Sequence, residues 1–217
     1  VVHAGVDQPR LLGRPLLDVF HPDSHASIQD RVNQLLDGRA IAPAEAKVLR
    51  AVGLASVRTG LPVFTHNPYL GLRPGAADIP PDAALRQLDV LEKAGASPAA
   101  LAIGHVCCLH DPKAEIAIAI ARRGAFVGFD RVTLALVPDA DKVVAAMALI
   151  EAGHADRLLL SSDFASARSL KKNGGAGLAQ TATVFGPLLL KAGLPQATLT
   201  RILTENPKRF LACIPRV

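Results

Sequence analysis

The sequence predicts an α/β protein built on a parallel sheet, and three observations carry that expectation. From residue 43 onward, short apolar runs alternate with amphipathic helical stretches at roughly 25 to 40 residues per unit, the pattern of repeated βα units. Hydrophobic residues make up 50% of the 217, aromatics only 4%, and tryptophan is absent. The core is therefore aliphatic, as in parallel sheets covered by helices. Finally, four successive apolar runs each close on a histidine or an aspartate, at the strand end where α/β folds bind ligands.

The elements follow in order. A helix is predicted over 43–59, with Val48, Leu49, Val52 and Leu54 at helical spacing and Gly60 as its stop. Leu61 to Thr65 reads as the first strand and ends at His66. A Pro/Gly-rich loop over 67–81 leads to a helix over 82–94. The second strand, 99–104, ends at His105, and a helix over 113–123 follows. The third strand, 125–129, ends at Asp130, and a helix over 140–152 follows it. The fourth, 157–161, closes at Asp163 after two serines. A Gly-rich loop over 171–177 and helices over 180–192 and 196–204 complete the pattern.

Residues 1–40 differ in character: they contain neither lysine nor glutamate, and Lys47 is the first lysine of the chain. The stretch from Leu11 to Asp23, with Gly13-Arg-Pro-Leu-Leu-Asp18 and His21-Pro-Asp23, resembles part of a PAS sensor domain. An amphipathic, mainly helical arm is the alternative reading. The expected division is thus an N-terminal arm, 1–40, and a unit of four βα repeats, 41–217. A closed (β/α)₈ barrel needs eight such units and about 250 residues. The expectation here is a partial TIM-type barrel holding the last four units, with both sheet edges open.

Composition excludes several function classes. The net charge is +5, but lysine and arginine are scattered without a basic stripe, which argues against a nucleic-acid partner. No run of 18 apolar residues is present, so no membrane-spanning helix is expected. The first residues, Val1 to Asp7, lack the charged-then-apolar order of a secretory leader. Three cysteines without Cys-x-x-Cys spacing fit a reducing, cytoplasmic setting.

From residue 43 the motifs resemble the phosphotriesterase family of the amidohydrolase superfamily. Thr59-Gly-Leu-Pro-Val-Phe-Thr-His66 is similar to that family's fifth strand with its metal-binding histidine, and Ile103-Gly-His105 to the sixth. Phe126-Val-Gly-Phe-Asp-Arg131 resembles the seventh strand of the lactonase-like branch. Leu159-Leu-Ser-Ser-Asp163 resembles the eighth, whose aspartate binds metal and accepts a proton from the attacking water. Lys171-Lys-Asn-Gly-Gly-Ala-Gly177 and Glu205-Asn-Pro-Lys-Arg-Phe-Leu211 resemble the last loop and closing helix.

The resemblance implies His66, His105 and Asp163 as metal ligands, with Asp163 also catalytic. It implies one or two ions of Zn²⁺ or another divalent metal, a choice that imidazole and carboxylate ligands suit. Asp130, Arg131 and Tyr69 are expected at the substrate pocket, with Asn67 and Arg73 as further candidates. The implied activity is hydrolysis of a small-molecule phosphotriester, lactone or carboxyl ester by a metal-activated water.

This sequence departs from the family in lacking any His-x-His pair and any lysine before Lys47; the position expected for the family's bridging lysine falls near Gln34. The open sheet edges and apolar interior of a half-barrel predict a homo-oligomer or pairing with a complementary half, and only the latter brings the missing ligands. The alternative is a non-catalytic half-barrel fused to a sensor-like fragment, acting as a binding module. Cys107 and Cys108, close behind His105, read as structural thiols, and His21, His25, His110 and His154 as residues outside the site.

Overall fold

The computed structural model describes residues 43–69, 71, 79–133, 136–164 and 167–212. The arm expected over 1–40 and the pocket candidate Arg73 lie outside the described residues. Helix α1 (Pro43–Thr59) precedes β1 (Val63–Phe64), and α2 (Ala83–Lys93) precedes β2 (Leu101–Ile103). Then come α3 (Glu115–Arg122), β3 (Phe126–Phe129), α4 (Asp139–Leu149) and β4 (Leu158–Leu160). A π-helical stretch, Thr181–Phe185, runs into α5 (Gly186–Lys191), and α6 (Gln196–Leu211) follows. The sheet is parallel throughout with order β1-β2-β3-β4, pairing Val63 with Leu101, Ala102 with Phe126 and Val127 with Leu158. Four parallel strands in sequence order, each preceded by a helix, form a partial TIM-type barrel.

Strand periodicity of two divides the sheet into two faces. Leu101, Ile103, Val127, Phe129 and Leu158 point to the helices and join the main core. That core takes Ala84, Leu88 and Leu91 from α2, at the i, i+4, i+7 spacing of one helix face, and Ile120 and Leu149 from α3 and α4. Burying each such leucine or isoleucine contributes about 1.5–3 kcal/mol. The alternate residues Ala102, Phe126 and Leu159 form a second cluster on the concave face, where they meet Phe210 from α6. Phe210 packs edge-on against both Phe126 and Phe64, with ring centroids 5.4 Å and 6.0 Å apart.

Two glycines keep this concave face thin. A Cβ on Gly104 would lie 2.2 Å from the Thr65 carbonyl oxygen, and one on Gly128 would lie 2.9 Å from the Phe64 ring. Phe64 therefore lies flat across both positions, and it remains 46% exposed, open toward the uncovered side of the half-barrel.

One boundary differs from the sequence expectation. Helix α6 does not stop at 204 but runs through Pro207 to Leu211. A proline inside a helix costs about 3 kcal/mol. Anchors on both sides of Pro207 offset that cost. Buried Asn206 donates from Nδ2 to the carbonyls of Ala155 and Leu158, at 2.8 and 2.7 Å, and Phe210 is buried on the concave face.

Candidate active site

Strand parity aims most of the predicted residues the same way. In β3, Phe126 and Gly128 face the concave side, so Asp130 does too; in the same register His66 follows Phe64, and Asp163 follows Leu159. His105 has the opposite parity, counting from Leu101 and Ile103. It reaches the site because its backbone is left-handed, φ 58°, which redirects the side chain. Asp163 is left-handed as well, φ 47°. Non-glycine residues held there are strained by about 1–3 kcal/mol and cluster at functional sites.

Asp130 supports the strained turn at His105. Its Oδ1 accepts the His105 amide at 2.6 Å, and its Oδ2 lies 3.0 Å from His105 Nδ1. The second contact has the distance of an ion pair but is out of line for a ring hydrogen bond, so Nδ1 stays buried with no hydrogen-bond partner. The His105 ring meets His66 edge to face, with centroids 4.2 Å apart. Below them Asn67, fully buried, donates to the Gly104 carbonyl at 2.9 Å, and Gln87 of α2 donates to the His66 carbonyl at 2.7 Å.

Charges around the two rings set their chemistry. Desolvation, followed by His105 and Arg131, pushes the His66 pKa down to about 4, against a weaker upward pull from Asp130 and Asp163. The residue as a whole is solvent-exposed, so that desolvation is local to the ring and the cationic neighbours reinforce it. Its imidazole is neutral at pH 7, with a nitrogen lone pair available. Arg131 Nε donates to Asp163 Oδ2 at 2.8 Å, and the Arg131 amide donates to Cys107 Sγ at 3.4 Å. Burial pushes the Cys107 thiol up, whereas its hydrogen bond with Cys107 and the nearby Arg131 guanidinium lower that of Cys108.

Tyr69 stands apart from this group. Its hydroxyl donates to the Pro81 carbonyl at 2.6 Å and accepts the Ala84 amide at 3.0 Å, closing the start of α2. Burial raises its pKa to about 12, so the phenol remains a donor, and its hydroxyl is engaged by the start of α2.

The donor set suits a divalent cation. Neutral His66, the unpartnered Nδ1 of buried His105 and two nearby carboxylates are ligand types that zinc takes. Among the described residues, however, no three His, Cys, Asp or Glu side chains converge as a ligand group. The two histidines touch each other, while Asp163 faces Arg131.

Sequence reasoning missed Lys142 and Asp139. Lys142 on α4 is 1% exposed, and its Nζ donates to the Arg131 carbonyl at 2.9 Å and to Asp139 Oδ1 at 3.0 Å. The signal was present: Lys142 shares a helical stripe with Ala146 and Leu149, both buried.

A parallel βα half-barrel with imidazoles and carboxylates at its strand ends defines a protein of the partial TIM-barrel class. The chain belongs to the phosphotriesterase family, whose profile matches residues 32–211. It is 33% identical over 171 residues to the phosphotriesterase homology protein of Escherichia coli, an alignment covering 78% of this chain and 54% of that one. The crystal structure of that E. coli protein, complexed with phosphate in its active site, superposes with a TM-score of 0.70 at 27% identity, covering 90% and 71% of the two chains.

The N-acetyltaurine hydrolase of Danio rerio is 28% identical over 182 residues, covering 79% of this chain and 49% of that one. A lactonase from Listeria monocytogenes superposes with a TM-score of 0.67 at 26% identity, covering 80% and 51%. The chain spans about half the length of the curated relatives it matches. No described helix is long and apolar enough to cross a membrane.

Proposed function

We propose that this chain carries the C-terminal half of the active site of a divalent-metal-dependent hydrolase acting on a small-molecule lactone, carboxyl ester or phosphotriester. The observation that carries this reading is the edge-to-face contact of His66 and His105 at the C-terminal ends of adjacent parallel strands, with Asp130, Asp163 and Arg131 beside them. Family membership and the resemblance to a lactonase and an N-acetyltaurine hydrolase support hydrolysis.

In this reading His66 and His105 hold the cation, with Asp163 joining them when it leaves Arg131. Zn²⁺ or a similar ion polarises the scissile oxygen and acidifies water when bound. Asp163 is the proton acceptor at the site, because its carboxylate is only partly buried whereas Asp130 is buried and engaged with His105. Asp130 keeps His105 in its left-handed turn, and Arg131 faces the anionic part of the substrate. The floor is apolar, formed by buried Phe126 and Phe210 with Phe64 across them. The remaining ligands come from a complementary half, since a second copy of the chain also lacks the His-x-His pair and the early lysine, in a cytoplasmic setting.

The test measures bound metal and turnover together. The purified protein, dialysed against Zn²⁺, is expected to retain about one or two equivalents, as a site of this donor type does. Once a family-like first half supplies the missing ligands, it is also expected to hydrolyse a γ-lactone, an aryl ester or an aryl phosphotriester, with Asp163→Asn abolishing turnover. A folded protein that retains no metal and, with that half restored, leaves all three substrate classes intact overturns the reading. One observation favours a second reading, a non-catalytic binding module: the Asp163 carboxylate is already paired with Arg131, and a purely structural ion pair of this kind needs no metal.

A further inference from the structure

We infer that Lys142 is a positioning residue for this site: its buried ammonium fixes the Arg131 backbone so that the Arg131 guanidinium meets Asp163. The inference rests on the hydrolase reading only in treating Arg131 and Asp163 as residues that face the substrate.

The argument begins from an energetic anomaly. A buried ammonium costs several kilocalories per mole to desolvate, and apolar residues of similar volume usually fill such a position at no loss of stability. Lys142 lies on the core stripe of α4, where Val143, Ala146 and Leu149 are also buried. Two of its partners bear on one tight turn after β3, formed by Arg131, Val132 and Thr133: the Arg131 carbonyl lies in the turn, and Asp139 also takes the Thr133 amide.

That turn is held from several directions. Lys142 Nζ takes the Arg131 carbonyl at 2.9 Å, and Asp139 Oδ1 accepts both Lys142 Nζ at 3.0 Å and the Thr133 amide at 2.9 Å. The Val132 amide donates to the Ser161 carbonyl at 3.2 Å, and the Arg131 amide to Cys107 Sγ at 3.4 Å. Thr133 is left-handed at φ 66°, a conformation that a β-branched residue adopts only when its surroundings enforce it. The ammonium and the Asp139 carboxylate therefore enforce the turn from the helix side.

The Arg131 side chain leaves this turn toward β4. Its Nε donates to Asp163 Oδ2 at 2.8 Å, beside a second strained backbone at Asp163. A guanidinium is a planar fork whose donors are pre-organised, so a fixed origin for its stem favours one pairing with the carboxylate. Lys142 reaches the candidate site through that backbone, at the Arg131 carbonyl.

The Nε–H resonances of the arginines in the metal-free, full 217-residue chain test this without any substrate, so failure here is separable from failure of the hydrolase reading. Arg131→Lys identifies the Arg131 signal by its loss. In Lys142→Met that signal is expected to move to the position of a solvent-exposed arginine and to exchange at least about tenfold faster, the loss of one charge-assisted hydrogen bond. The Arg123 Nε–H, bonded to Glu92 Oε1 at 3.2 Å on another part of the fold, is expected to stay in place. Asp139→Ala, which removes the shared carboxylate, is expected to move the Arg131 signal the same way. An unmoved Arg131 signal in either folded variant overturns the proposal. So does a failure of both variants to fold, since Lys142 would then determine the fold and not the placement of Arg131.

Discussion

Asp130 uses its two carboxylate oxygens on one residue: Oδ1 takes the amide of His105 at 2.6 Å and Oδ2 lies 3.0 Å from that residue's Nδ1. A strand-end carboxylate thus supports the strained turn that brings the His105 ring to the site. Asp130→Ala leaves a buried amide without a partner, a loss of about 1–3 kcal/mol. Urea denaturation is expected to show a lower midpoint with an unchanged slope. An unchanged midpoint would mean that the His105 turn holds itself.

The concave face is built to a tolerance of one hydrogen atom at Gly104. Gly104→Ala puts a methyl group 2.2 Å from the Thr65 carbonyl oxygen, so β1 and β2 have to separate. Overpacking of this kind costs about 1–3 kcal/mol or more. Thermal unfolding is expected to drop by several degrees, and the His66–His105 ring contact to loosen with it. A variant that melts with the parent would show that the strands part more easily than this packing implies.

His66 gives the metal-free protein a defined acid response. Its folded pKa, about 4, lies below the ordinary 6.5 of the unfolded chain. Between those values the unfolded chain binds a proton that the folded chain refuses, so stability falls as pH drops through this window and levels off below it. The residue is exposed, so solvent screening keeps the effect small. Proton NMR of the His66 ring is expected to give a midpoint near 4, and His66→Asn to flatten the slope of melting temperature against pH in the same window. A midpoint at or above 6.5 contradicts the crowding by His105 and Arg131.

Asn206 secures the closing helix to the sheet. Its Nδ2 holds two carbonyls, of Ala155 and Leu158, from a position 2% exposed. Asn206→Ala removes both bonds at once, and about 1–3 kcal/mol of stability is expected to go with them. Hydrogen exchange is expected to rise along α6, which includes the strained segment around Pro207. If protection of α6 is unchanged, the helix is held by Phe210 and its apolar contacts instead.

The fold was legible where local pattern decides it. Each apolar run that closes on His66, His105, Asp130 or Asp163 became a strand followed by that residue, because strand burial and the ligand-bearing edge both follow from short-range periodicity. What was not legible depends on partners far away in sequence. Tyr69 looked like a pocket residue, yet its hydroxyl serves the start of α2, fifteen residues on. The helix expected over 196–204 runs on through Pro207, held by Asn206, which reaches residues about fifty positions earlier, and by Phe210 on the concave face. The pairing of Arg131 with Asp163 spans 32 positions, and no local rule encodes it.

The backbone angles at His105 and Asp163 also constrain how this site can change by mutation. Left-handed φ values of 58° and 47° are tolerated by glycine, asparagine and aspartate, and are costly for valine, isoleucine or threonine. A saturation library at these two positions will be filtered for foldability before any selection for chemistry acts. Survivors will be enriched in asparagine and glycine, so new ligand sets are reached more readily at His66, whose φ is not in that region, than at either of its neighbours.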